Sequence, residues 1–181
     1  MILDAASLEL VNAIEVKDYA LAEALVGKMK AQAGDFDYSK PTAAIEAKYG
    51  VTLDAFEVVL EPENTSYWRG KQIGQALVAL KSMFQGAGYS NVNLIAPGVS
   101  FAYNTLPYMN EIATVPGALQ SVKTVSYHRY DLGDFAAIGA YAKANGLQTA
   151  MSEWTGGEID TLFDDLTLAN VSSWQKWAIA G

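Results

Sequence analysis

With 181 residues, 51% of them apolar and 18% charged, the chain can bury one sizeable core, while a net charge of −8 repels a phosphate backbone. Nucleic acid is an excluded partner, and with no cysteine and one histidine neither a disulfide nor a structural zinc site has its ligands. No basic leader precedes a long apolar segment and no run approaches about eighteen apolar residues, so a soluble chain without a membrane span or secretion signal is expected, its compartment unknown.

In chain order, Leu21, Leu25 and Met29 recur at helical spacing and predict a helix from about Asp18 to Lys30. The run GDFDYSK at Gly34 is turn-like; Pro41 suits a first helical turn, and Gly50 closes a short helix over PTAAIEAKY. Phe56 to Leu60 then reads as a buried strand halted by Glu61 and Pro62. Next comes a helix whose stripe is Ile73, Ala76, Leu77, Leu80 and Phe84, ended by Gly86 and Gly88.

Val92 to Ala96 predicts a second strand, stopped by Pro97 and Gly98 and followed by a long loop, PGVSFAYNTLPY, of the kind that carries function. A short helix around Tyr108 to Thr114 leads to a third strand, Val122 to Tyr127, which ends in His128, Arg129, Tyr130 and Asp131. Asp134 to Asn145 is helical and stops at Gly146; Leu147 to Met151 is a strand with Glu153 at its end. Ile159, Leu162, Phe163 and Leu166 form another helical stripe, and Val171 to Ile179 a final strand.

Strand and helix alternate, which argues for parallel pairing through crossover helices: an α/β fold in a single domain over 1–181, with a mainly helical lead-in at 1–50. In parallel sheets ligands sit at the C-terminal ends of strands, and two glutamates stand there, Glu61 and Glu153. Taken singly, each is most simply a solvated loop residue or a helix N-terminal charge. As a pair they are what glycoside hydrolysis requires. Asp160, Asp164 and Asp165 read as a solvated acidic helix face rather than a metal cluster, and neither metal nor cofactor is expected.

The motifs LEPEN, YHRY, MSEW and SSWQKW, in that order, resemble the C-terminal part of a clan A glycoside hydrolase barrel. That family ends its fourth strand in Asn-Glu-Pro, its sixth in His-x-Tyr and its seventh in a nucleophilic glutamate, and bears a tryptophan on its eighth. The resemblance runs from about Ala55 to the C-terminus and implies a partial (β/α) barrel of about five parallel strands. It implies a carbohydrate substrate, Glu153 as nucleophile, Glu61 as acid/base, His128 and Tyr130 binding substrate or orienting the nucleophile, and Trp177 as a sugar platform. The carboxyl separation implied is about 5 to 5.5 Å, that of a retaining enzyme.

Two departures bear on this. The family's asparagine, which contacts the sugar 2-hydroxyl, is Leu60 here, and a full barrel takes about 250 residues, so only the equivalents of strands four to eight are expected, in a fragment or in a natural partial barrel. They motivate the alternative of a non-catalytic carbohydrate-binding or structural remnant. Open sheet edges predict self-association, or cover by the N-terminal helices. A nucleotide-binding domain is disfavoured, because no glycine-rich loop follows a predicted strand.

Overall fold

The structure, a computed structural model, describes residues 39–177, all within the unit Ser39–Gly181. The helix expected at Asp18 to Lys30 lies outside the described residues. Helix α1, Ser39–Tyr49, carries Pro41 in its first turn, as its sequence predicts, and Gly50 follows it at φ 65.

Five parallel strands in the order β1-β2-β3-β4-β5 form a curled half-barrel: β1 is Ala55–Glu57, β2 Asn93–Val99, β3 Val122–His128, β4 Gln148–Trp154 and β5 Ser173–Lys176. Helices return the chain between neighbours: α2, Gly70–Gly86, joins β1 to β2, and α3, Thr105–Ala113, with the short α4, Ala118–Ser121, joins β2 to β3. Helix α5, Phe135–Ala144, joins β3 to β4, and α6, Ile159–Asp164, running into a π-helical turn Asp165–Ala169, joins β4 to β5. Among the described residues no helix is long and apolar enough to cross a membrane.

The α2 stripe is buried at Ile73, Leu77, Leu80 and Phe84, while Ala76 is half-buried. Helix α5 forms where predicted, with Asp134 as its cap rather than its first residue: the Asp134 carboxylate accepts from the Ala137 N–H at 2.9 Å, and Phe135 and Ile138 turn inward.

Several boundaries differ from the expectation: β4 runs on to Trp154 so that Glu153 lies within it, and β5 is Ser173–Lys176, inside the expected Val171 to Ile179. β1 is three residues long, not five, because the chain leaves the sheet after Glu57. β2 runs through Pro97 and Gly98 instead of stopping there. Proline has no N–H to spend on the ladder, and the Gly98 N–H goes to the Ser126 hydroxyl at 3.0 Å, so neither interrupts the sheet. The long loop after β2 is therefore short, since Ala102–Asn104 is already a 3-10 turn leading into α3.

The last helical stripe is also corrected. Ile159, Phe163 and Leu166 are exposed, and the residues turned inward are Asp165 and Ala169. A helix that widens to the π turn at Asp165 brings a different face to the sheet, and that face is selected by hydrogen bonds rather than by apolar area. Asp165 is 0% exposed; it accepts from Tyr127 Oη at 2.6 Å, Arg129 Nε at 3.0 Å and Trp174 Nε1 at 3.0 Å. It is no part of a solvated face, whereas Asp160 and Asp164 are exposed.

Candidate active site

Residues alternate faces along β3, so Tyr127 and Arg129 point to the helices while Ser126 and His128 share the opposite face. Opposite β3, the β4 register pairs His128 with Glu153. Both are buried, at 1% and 8% exposure. The backbone ties the same strand ends together: the Arg129 N–H donates to Glu153 O at 3.1 Å and the Tyr130 N–H to Ser100 O at 3.3 Å.

Glu61 arrives from the far side of the sheet. Its backbone is left-handed, φ 47 and ψ 60, a conformation that costs a residue with a Cβ about 1 to 2 kcal/mol. Two bonds hold it there: its N–H donates to Gly98 O at 2.8 Å, and the Asn64 N–H donates to Glu61 O at 3.0 Å from the turn Pro62–Asn64. The Asn64 amide also donates to Glu61 Oε2 at 2.9 Å and to Ser100 Oγ at 3.2 Å.

The side chains converge. His128 Nδ1 lies 3.0 Å from Glu61 Oε1 and 3.8 Å from Glu153 Oε1. A hydrogen bond between an imidazole nitrogen and a carboxyl oxygen needs one proton between them, so one of the two carries it. The Tyr130 hydroxyl donates to Glu153 Oε1 at 2.6 Å. Burial and the neighbouring carboxylates Glu153 and Glu61 push that phenol up to about 12. One oxygen of each glutamate and one nitrogen of His128 lie within 4.8 Å of one another. Such a trio is compact enough to take a cation as well as to share a proton.

A cleft of about 430 Å³ opens over this group, lined by Glu61, Asn64, Ser100, Phe101, Tyr130, Glu153 and Trp177. The structure thus gathers Glu61, His128, Tyr130, Glu153 and Trp177 at one place, His128 beneath the floor and Trp177 at the rim with 64% exposure. Trp174 turns away, to Asp165. Tyr67 and Trp68 meet edge to face at 5.3 Å and do not line the cleft. Leu60 is 56% exposed and also outside it. Asn64 and Ser100 were not foreseen, although an amide three residues after Glu61, in a turn opened by proline, is a readable signal.

The chain resembles solved structures in this fold. It matches a GH30 endoxylanase from Clostridium papyrosolvens C71 at 17% identity and TM-score 0.55, over 80% of this chain and 41% of that one. It matches an endo-β1,6-glucanase at 18% and 0.61, over 76% and 36%, and SrfJ from Salmonella typhimurium at 15% and 0.60, over 72% and 34%. What they share is the fold: this chain forms part of a (β/α)8 barrel. The chain spans roughly two fifths or less of the length of these barrels. No family model and no curated protein matches it. Within such a barrel the cleft lies where strands end and helices begin, the face on which barrel enzymes carry their chemistry.

Proposed function

We propose that this chain carries the catalytic groups of a retaining glycoside hydrolase acting on β-linked glucosides or glucans. Glu153 attacks the anomeric carbon as a carboxylate and forms a glycosyl-enzyme, while Glu61 protonates the leaving oxygen and then deprotonates the water that releases the sugar. Tyr130 holds the nucleophile's oxygen in line, and His128 exchanges the proton with Glu61. Trp177 packs on the apolar face of a sugar. Asn64 offers the hydroxyl contact that Leu60 lacks.

The observation that carries this reading is the approach of the two carboxylates to within 4.8 Å, oxygen to oxygen, across a cleft of about 430 Å³. An inverting enzyme needs the carboxyl groups about 6.5 to 9.5 Å apart to admit a water; the shorter span suits direct attack. Xylan and β1,6-glucan, the polymers of two structural neighbours, belong in the substrate panel beside β-glucans.

The test is a panel of nitrophenyl β-glycosides and these polymers, with the anomer of the first product read by proton NMR. Retained configuration is expected. Inversion, or turnover that persists in Glu153→Gln, overturns the assignment. Carbohydrate binding without turnover on any member selects the alternative, a non-catalytic binding remnant.

A further inference from the structure

Glu57 sits in a strand where an acid has no packing reason to be. Its neighbour Phe56 faces the helices, its ring 5.5 Å from that of Phe84 on α2, so alternation turns Glu57 to the face that carries Ser126 and His128. There Ser126 Oγ donates to Glu57 Oε1 at 2.8 Å and itself accepts the Gly98 N–H at 3.0 Å. Gly98 is the notch that admits the carboxyl: a Cβ built on it would stand 2.6 Å from Glu57 Oε1 and 2.7 Å from Cδ. The carbonyl of this same Gly98 accepts the Glu61 N–H. Glu57, Ser126, Gly98 and Glu61 are therefore consecutive links.

Among the described residues the titratable groups that act on Glu57 are His128 from β3 and Glu153 from β4, while β2, with the sequence NLIAPGV, offers no titratable side chain. Burial holds the Glu57 carboxyl above its ordinary range; the Ser126 bond and His128 draw it back, and Glu153 raises it again. Ionising Glu57 adds a negative charge on the face that carries His128 and Glu153, and a negative neighbour makes a carboxylic acid keep its proton to higher pH.

Resting on the glycosidase reading above, we propose that Glu57 is a positioning residue for Glu61, holding it through Ser126 and Gly98 and, once ionised, extending to higher pH the range in which the cleft keeps its proton. Glutamine in its place still accepts from Ser126 but cannot ionise. Alanine removes both the acceptor and the charge.

The test compares wild type, Glu57→Gln and Glu57→Ala in kcat/KM against pH on a nitrophenyl β-glycoside. Glu57→Gln should stay within about threefold of wild type at acidic pH and bring the alkaline limb down by about half a unit or more. Glu57→Ala should lose about tenfold or more at every pH, through misplacement of Glu61. Superimposable profiles for all three overturn the inference.

A second readout needs no turnover. In glutamate 13C-carboxyl NMR, the signal missing from Glu57→Gln is Glu57, and those missing from Glu61→Gln and Glu153→Gln are the pair. The Glu57 signal should titrate above the ordinary carboxylate range, and the pair's titration curves should move in Glu57→Gln. Unmoved curves sink the coupling even in an active enzyme, whereas moved curves in a chain that hydrolyses nothing sink the glycosidase reading alone. Should Glu57→Gln not fold, Ser126→Ala keeps the charge and cuts the link; an unchanged Glu61 signal there overturns the positioning.

Discussion

Tyr130 donates its hydroxyl to Glu153 across 2.6 Å, and burial together with that bond makes its phenol hard to ionise. A phenol whose folded value lies above its free value holds its proton more tightly in the folded chain. The stability this contributes is intact below about pH 10 and is lost as the pH rises through about 12. Urea midpoints measured from pH 8 to 12 should fall more steeply for wild type than for Tyr130→Phe. The same variant leaves a Glu153 oxygen without its donor, and kcat should drop about tenfold or more.

Removing either proposed catalytic carboxylate gives a different signature. Glu61→Gln should lower kcat/KM by about 100- to 10,000-fold on a substrate with a poor leaving group, and by much less on a dinitrophenyl glycoside, which needs no acid. Glu153→Gln should be inactive on both. Steady-state kinetics on the two substrates separate the roles.

Asp165 accepts three donors in the helix layer, and Arg129, with 7% of its side chain exposed and its guanidinium 4.3 Å from the Phe135 ring centroid, relies on it. Asp165→Ala leaves the buried Arg129 only the exposed Asp164, 3.5 Å from its guanidinium, and should destabilise the chain by about 3 kcal/mol in urea unfolding. Arg129 stands between His128 and Tyr130 in sequence, so activity should fall in the residual folded fraction too.

Gly98 has φ 64 and touches the Glu57 carboxyl, so a methyl group there meets both a backbone conformation unsuited to it and a filled space. Gly98→Ala should cost about 2 kcal/mol or more in chemical denaturation. Its kcat should fall with it, because the Glu61 N–H hangs on the same residue.

Elements with a strong period were legible in the chain: the Ile73 to Phe84 stripe of α2, the strand from Val122 and the helix that follows Asp134, though not its cap. So was the order of motifs that meets at the cleft. What escaped depends on partners distant in sequence. Asp165 looks like one acid in an exposed run until Tyr127 and Arg129, 38 and 36 residues away, are brought against it. Pro97 and Gly98 look like a stop until a side chain on another strand takes up the N–H that breaks the pattern. The Ile159, Phe163 and Leu166 stripe misleads for the converse reason: apolar spacing is visible locally, and the polar contacts that outweigh it are not. Glu57 went unread inside the run Phe56 to Leu60, although a carboxyl among apolar residues calls for a buried partner.

The left-handed backbone at Glu61 sets durability against chemistry. Glycine adopts that shape without penalty, so Glu61→Gly should be the sturdier protein by about 1 kcal/mol and an inert one. A library screened only for heat resistance would drift toward losing this side chain, and survivors of such a screen would need assaying for sugar cleavage before being counted as improvements.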